Sequence, residues 1–346
     1  MNKTDPAVEA RRPKGSFFRT KKFLIAIAVV VVIVIALAVG LGVGLTRNRE
    51  GGDDGKSKYP PLSGPPDIPP YNVSNLWQPA VGTPWQIILK KPIVPVSNGS
   101  DITPYETVYD LDMADHSADT FAKLRAAGIS IICYFSAGSW ENWRSDKDQF
   151  PAADLGKVLN GWPNEKWLNV SSPAVRDIMK ARIKAAASKG CTAIDPDNVD
   201  GYDNDNGLGL TGEEAADYVK FLATEAASYN MSTGLKNAGA LIPRVINFVQ
   251  FSVNEQCIQF AECKNFKPFI DANKPVFNIE YPPSAPNVPA NVAADICSHQ
   301  GKAAYTEGFS TVIKTLDLMG WVQYCDGKTF NTSTVTTFTN SRGASS

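Results

Sequence analysis

From Trp85 to Thr315, short apolar runs alternate with stretches of helical periodicity. The strand-like runs are Trp85–Leu89, Thr107–Leu111, Ile129–Phe135, Trp167–Val170, Cys191–Ile194, Ser232–Leu235, Phe248–Val253, Val276–Ile279 and Thr311–Thr315. Helical patterns fall at Ser117–Ala127, Ala174–Lys189, Gly212–Tyr229, Ile242–Ile246, Lys264–Asn273 and Ala290–His299. Strands and helices that alternate over about 250 residues predict an α/β fold with a parallel sheet, most simply a (β/α)8 TIM barrel over residues 81–330. Nine strand candidates are one more than such a barrel uses, so one is an addition or is wrong. The link from Leu89 to Tyr105 shows no helix. A doubly wound sheet is the alternative, but no glycine-rich phosphate loop follows any of the strands.

The pattern before residue 81 is different. Phe23 to Leu45 is a run of 23 residues without a charge, long enough to span a bilayer as a helix. Seven bases and two acids precede it in residues 1–22, which predicts a cytosolic tail and a C-terminal bulk across the membrane. A cleaved signal peptide is the rival reading, but its apolar core would be shorter, roughly 7–15 residues, with a small-residue cleavage site after it. The expected topology is therefore a single-pass type II protein with a signal anchor and an extracellular or lumenal domain. Residues 46–80 combine Gly51-Gly52, Asp53-Asp54-Gly55 and three Pro-Pro pairs without apolar periodicity, as in a flexible, proline-stiffened stalk whose proteolysis would release the domain. Residues 331–346 are Ser/Thr-rich and read as a flexible tail.

Composition adds to that topology. The chain outside residues 1–22 carries 27 bases against 33 acids, with no basic patch, so a nucleic-acid partner is not expected. Asn72, Asn98, Asn169, Asn230 and Asn331 head glycosylation sequons. The six cysteines are an even number in an oxidising setting, where disulfides persist. Cys257 and Cys263 are near enough in sequence to close a small loop. Pairing Cys133 with Cys191 requires their strands to be neighbours and leaves Cys297 for Cys325. A monomer is expected.

The candidate chemistry lies at the C-terminal ends of the strands, where a barrel presents its functional groups. The stretch Gly190 to Tyr202 is the densest: an apolar run ends in Asp195, Asp197 and Asp200, with Asn198 between. Other ends bring Asp110 and Asp112; Tyr134, Ser136, Trp140 and Trp143; Lys236 and Asn237; Asn254 and Glu255; Glu280 and Tyr281. If the barrel forms, these meet in one acidic cleft with aromatic walls. Acids in such places also cap helices, and for Asp112 and Asp195 that is an equal alternative.

Other chemistries fit less well. Two histidines, His116 and His299, are too few for a histidine metal site, and His116 reads as a polar loop residue. No C-x-x-C pair points to zinc. No G-x-S-x-G elbow is present, and Phe135-Ser-Ala-Gly-Ser139 lacks its first glycine. An EF-hand register with Gly201 at position six puts Pro196 first and Gly207 last, although irregular calcium binding by Asp195, Asp197 and Asp200 stays open. No cofactor motif remains. Paired carboxylates with aromatic rings point instead to the hydrolysis of a glycosidic bond.

Four motifs, Val108-Tyr-Asp-Leu-Asp112, Ile132 to Asp146, Gly190 to Tyr202 and Gly234-Leu-Lys-Asn237, resemble glycoside hydrolase family 114, the endo-α-1,4-polygalactosaminidases and spherulin-4-like proteins, in a membrane-anchored fungal form. The resemblance covers roughly Trp85 to Cys325. It implies a (β/α)8 barrel that cleaves α-1,4-linked galactosamine polymers, galactosaminogalactan or its cationic deacetylated stretches. It implies two catalytic acids, after the fifth and seventh strand candidates. Glu255 is the second of these and the expected acid/base, with Phe251 and Phe260 expected to raise its pKa. Asp197 is the expected nucleophile of a retaining reaction and Asp195 the alternative, because the family often carries Glu at that position. Asp112, Asp200 and Glu280 are expected to bind the 2-amino groups. Tyr134, Trp140, Asn198, Lys236, Asn237 and Tyr281 complete the expected substrate site, with Lys236 either bridging two carboxylates or holding a hydroxyl. A non-catalytic polysaccharide-binding protein on the same barrel is the alternative function.

Overall fold

The computed structural model describes residues 61–337. The expected cytosolic tail and signal anchor, residues 46–60 of the expected stalk and residues 338–346 lie outside the described residues. Among those described, no helix is long and apolar enough to cross a membrane.

Ten strands form one curled sheet in the order β1 (Gln86–Ile88), β2 (Val108–Asp112), β3 (Ser130–Ser136), β7 (Ala193–Asp197), β8 (Ser232–Lys236), β9 (Phe251–Glu255), β10 (Val276–Glu280), β11 (Ser310–Ile313), β12 (Trp321–Tyr324) and β13 (Thr329–Asn331). The first eight run parallel; β12 and β13 add antiparallel to the end. The two ends of the parallel row are tied together. Trp85 Nε1 donates to the Ser310 carbonyl at 2.8 Å, and Lys314 Nζ to Gln86 Oε1 at 2.8 Å.

Six α-helices follow strands: α1 (Ala118–Ala126), α2 (Pro173–Lys189), α3 (Gly212–Ala227), α4 (Ile242–Val245), α5 (Lys267–Asp271) and α6 (Ala290–Ile296). Local chemistry starts them where the sequence suggests. Ser117 Oγ caps α1, Pro173 opens α2, and Thr211 with Glu214 forms a reciprocal capping box on α3. The link from β1 to β2 has no α-helix, as its pattern indicated.

The ninth strand candidate, Trp167–Val170, is the addition. It overlaps β6 (Trp162–Leu168), the centre of a separate antiparallel sheet with β4 (Ser139–Glu141) and β5 (Leu155–Leu159). This excursion leaves from the end of β3 and returns through α2. Removing it from the count moves Asp197 to the fourth parallel strand and Glu255 to the sixth.

Two faces of the parallel strands bury different things. One cluster, including Trp85, Ile87, Ile132, Phe251, Val253, Phe277 and Val312, lies inside the curl. The other faces outward and includes Val219 and Leu222 of α3 together with Ile131 and Ile194 of the strands. A Cβ on Gly234 would come within 2.4 Å of the Phe251 ring, so glycine there lets Phe251 fill the interior.

Residues 61–80 are not a free stalk. Asp67 forms ion pairs with Lys220 and Arg244, Tyr71 Oη donates to the Phe248 carbonyl, and Leu62 N to the Ala240 carbonyl at 3.1 Å. Trp77 packs against the interior cluster, 6.0 Å from the Phe251 ring, and its carbonyl accepts from Ser232 Oγ. The prolines thus stiffen a strap laid on the domain, since aromatic side chains between them find apolar contacts. The tail is likewise held as far as residue 337. Thr334 bridges Ile93, and Val335 N donates to the Pro92 carbonyl at 3.0 Å. All three expected disulfides form: Cys133–Cys191, Cys257–Cys263 and Cys297–Cys325.

Candidate active site

In a parallel sheet, alternate residues face the same way, and the inward set ends in polar groups at one rim. From β7, β8 and β9 these are Asp197, Lys236 and Glu255. Lys236 Nζ lies 3.1 Å from Asp197 Oδ1 and 3.1 Å from Glu255 Oε2. Two carboxylate oxygens that share one ammonium are no farther apart than twice that distance. The Lys236 side chain is 3 % exposed, whereas those of Asp197 and Glu255 are 17 % and 24 % exposed, so the carboxylates reach the cleft and the ammonium lies beneath them. Burial disfavours the Lys236 cation, but Asp197, Glu255 and then Asp195 outweigh that and push its pKa well up. Lys236 therefore bridges the two carboxylates.

Each carboxylate has further donors. Tyr134 Oη donates to Asp197 Oδ2 at 2.9 Å, and the Asn198 backbone N–H to Asp197 Oδ1 at 2.7 Å. Tyr281 Oη donates to Glu255 Oε1 at 2.6 Å, and Asn237 Nδ2 to Glu255 Oε2 at 3.1 Å. Asn237 is itself fixed, because the Glu255 N–H donates to its Oδ1 at 2.9 Å. The expectation of a raised pKa at Glu255 is overturned. Burial does push it up, but Lys236, Tyr281 and Asn237 together outweigh burial and hold it below the usual value. Phe251 lies deep in the interior, two pleat repeats before Glu255 on β9, and does not decide the matter. Tyr134 and Tyr281 sit against these anions, and burial with the adjacent negative charge raises both phenols well up.

The loop after β3 explains the false elbow. Ala137 N and Gly138 N both donate to the Asp197 carbonyl, at 2.9 and 3.0 Å. A Cβ on Gly138 would fall 1.8 Å from the Asn198 carbonyl oxygen, so only glycine allows that approach. Arg182 Nη1 donates to the Ser136 carbonyl at 2.6 Å, and Tyr218 Oη to the Ala137 carbonyl at 2.7 Å, so helices α2 and α3 brace the loop.

Several expected site residues have other work. Asp112 is 1 % exposed and receives both guanidinium nitrogens of Arg144, at 3.1 and 2.7 Å, as well as the N–H groups of Ala114 and Asp115. Glu280 faces outward, away from Lys236. It accepts from Ile258 N at 2.8 Å and so holds the loop closed by Cys257–Cys263; burial pushes its pKa to about 7. The Trp140 indole donates to the Lys147 carbonyl at 2.9 Å, and Lys166 Nζ lies 5.7 Å from its ring centre. Asn198 turns its amide to Ser136 Oγ, 2.9 Å away, and contributes its backbone N–H to Asp197. Of the three acids assigned to amino groups, only Asp200 is half-buried rather than enclosed.

Asp195 is fully buried and cannot touch a substrate. Its carboxyl lies against that of Asp110, also fully buried, and no donor reaches any of the four oxygens. Asp110, grouped with Asp112 at the end of β2, was expected in the cleft without a role of its own; its place in the middle of an apolar strand, on the inward face, was the signal that it belongs beneath the cleft. His116 was also misjudged. It is buried, bonded to the Asp112 carbonyl and the Ile93 N–H, and burial pushes its pKa to about 3.

The sequence profile of glycoside hydrolase family GH114 matches residues 69–330. Aspergillus fumigatus Ega3, solved in complex with galactosamine, is 50 % identical, with a TM-score of 0.67; the match covers 72 % of this chain and 97 % of that one. The glycoside hydrolase domain of PelA from Pseudomonas aeruginosa shares 13 % identity at a TM-score of 0.51, covering 68 % and 95 % of the two chains, and so shares the fold. No match was found among curated proteins. The matched span contains both strands that carry Asp197 and Glu255, and the chain belongs to glycoside hydrolase family GH114.

Proposed function

We propose that this glycoside hydrolase cleaves α-1,4-linked galactosamine polymers internally, with net retention at the anomeric carbon. The observation that carries this reading is Lys236, at 3.1 Å from a carboxylate on each of two inward strand ends. That spacing suits retaining glycosidases, whose carboxyls stand about 5–5.5 Å apart, better than inverting ones, at roughly 6.5–9.5 Å. The half-identical relative that holds galactosamine supports the sugar. The excess of acids outside residues 1–22 would attract a polymer with free amines.

Asp197 is the nucleophile. It attacks the anomeric carbon, the bond to the next sugar's oxygen breaks, and that oxygen takes a proton from Glu255. Water then adds at the anomeric carbon, gives its proton to Glu255, and Asp197 leaves as carboxylate. Lys236 links the two steps. In the free site it holds Glu255 ionised, so Glu255 takes a proton from solvent water as the substrate enters and returns it to solvent after the product leaves. Once Asp197 is esterified, the ammonium has Glu255 as its one remaining cleft carboxylate, which favours the base form needed for the second step. Asp200, at the rim, is the remaining candidate for a 2-amino group.

The same reading takes the curled sheet as a (β/α)8 barrel. It also takes residues 23–45 as a signal anchor that holds a monomeric, glycosylated domain outside the cell or in the lumen. Three disulfides and the uncharged run support this topology. The test is incubation of the full-length chain with acetylated and deacetylated polymer and mass spectrometry of the products. Short galactosamine oligomers with intact interior linkages are expected from deacetylated polymer. Binding without released oligomers would make the chain a polysaccharide-binding protein instead.

A further inference from the structure

The buried pair beneath the cleft has no part in the chemistry above, yet it is costly. Two neighbouring carboxyls with no solvent exposure and no donor cannot both ionise; set against one another, they hold at least one proton, which supplies the donor that their four oxygens otherwise lack. The position of the pair is informative. Asp195 lies two residues before Asp197 on β7, on the same inward face, and β7 is the neighbour of β8, which carries Lys236. Asp110 lies on β2, separated from β8 by β3 and β7. The charged groups that face the pair are Lys236 from β8, Asp197 from β7 and Glu255 from β9.

We propose that Asp110 is a positioning residue of the active site: by sharing a proton with Asp195 it keeps a single negative charge beneath Lys236, which holds the ammonium centred between Asp197 and Glu255. Without Asp110, Asp195 would be a lone carboxyl in an apolar interior, and taking up a proton would be its way to avoid the charge. Lys236 would then be held only from the cleft side and would follow whichever of Asp197 and Glu255 carries more charge during turnover. The proposal rests on the reading of Asp197 and Glu255 as the catalytic pair.

Isosteric substitutions separate this from a purely structural role. Asp195→Asn and Asp110→Asn each leave one carboxyl bonded to one amide, so a structural role predicts equal effects. The positioning role predicts unequal ones. Asp195→Asn takes the charge off the residue next to Lys236 and should lower kcat by about 10- to 100-fold, the range seen for groups that orient a reacting ligand, with KM little changed. Asp110→Asn leaves Asp195 ionised and should cost markedly less, while it removes from the pH profile of kcat the inflection near neutrality that belongs to the pair. Equal losses, or losses confined to KM, would overturn the proposal. A second measurement needs no variant to fold. In the full-length chain labelled with 13C at aspartate carboxyls, two signals should move together through one inflection far above the ordinary value of 3.8. Independent inflections near that value would also overturn it. If instead Asp197→Asn keeps its turnover, the catalytic reading fails, and the carbon titration still judges the pair.

Discussion

Asp112 and Glu280 resemble Asp197 and Glu255 in sequence: all four are acids at the ends of apolar strands. In the folded protein they form two unlike pairs. Asp197 and Glu255 face inward, meet one buried ammonium and keep part of their surface in the cleft. Asp112 is enclosed by Arg144 and two backbone N–H groups, and Glu280 faces outward under the Cys257–Cys263 loop. A carboxylate can take part in catalysis only if its partners leave part of it open to the cleft, as they do at Asp197 and Glu255. Strand position makes such a role available; the direction of the side chain and its exposure decide it.

This comparison can be broken by substitution. The largest effect is expected at the inward pair. Asp197→Asn or Glu255→Gln should lower kcat by at least about 10²- to 10⁴-fold in an oligomer-release assay, with the melting temperature little changed. Retained turnover in either would erase the distinction between the pairs. Asp112→Ala should act on stability instead. It leaves Arg144 without one of its buried carboxylates, which costs about 3–5 kcal/mol in denaturant unfolding, while the folded fraction keeps its kcat. Glu280→Ala should cost about 1–3 kcal/mol through the backbone groups it leaves unpaired, again without loss of a reacting group. If Glu280→Ala abolished turnover in folded protein, the outward acid would have to be counted with the site.

The smallest effect is a pH dependence of stability. Glu165 lies next to Glu141, and burial followed by that neighbour pushes its pKa to about 8; Glu280 is pushed to about 7. Both folded values exceed the ordinary 4.5, so the folded state binds more protons between the two. Their contribution is complete below the ordinary value and is lost as pH rises through 7 and 8. His116 works in the opposite direction. Its folded value of about 3 lies below the ordinary 6.5, so its contribution is lost as pH falls through that window. With Asp110 and Asp195, whose values are also raised, these acids outnumber it, and the melting temperature should fall from about pH 5 to pH 8, above which Lys274, lowered by burial to about 8, acts in the opposite direction. Glu165→Gln should flatten that slope, as read by thermal unfolding at a series of pH values.

Most of the frame was legible in advance because it rests on local patterning. The eight parallel strands, the helices expected from Ser117, Ala174 and Gly212, and the helix-free link after β1 follow from apolar periodicity. The strap at 61–80 was not legible. Proline pairs read as stalk whether or not Tyr71 and Trp77 find an apolar surface, and that surface is assembled from β8, β9 and their links. Trp140 misled for a similar reason: an aromatic next to a cleft motif looks like a sugar platform until Lys147 and Lys166 are seen to occupy it.

The sequence by itself determined the repeating α/β order, the strand ends at which chemistry can occur, and the residue types for splitting a glycosidic bond. Those are properties of short segments, set by period, capping and side-chain chemistry. Only the tertiary structure decided that Lys236 joins Asp197 to Glu255, that Asp195 is withdrawn beside Asp110, and that Asp112 and Glu280 are taken up by other partners. Those outcomes depend on which strands are neighbours, which way each side chain faces and which donor arrives first, and all three are set by contacts between residues far apart in the chain.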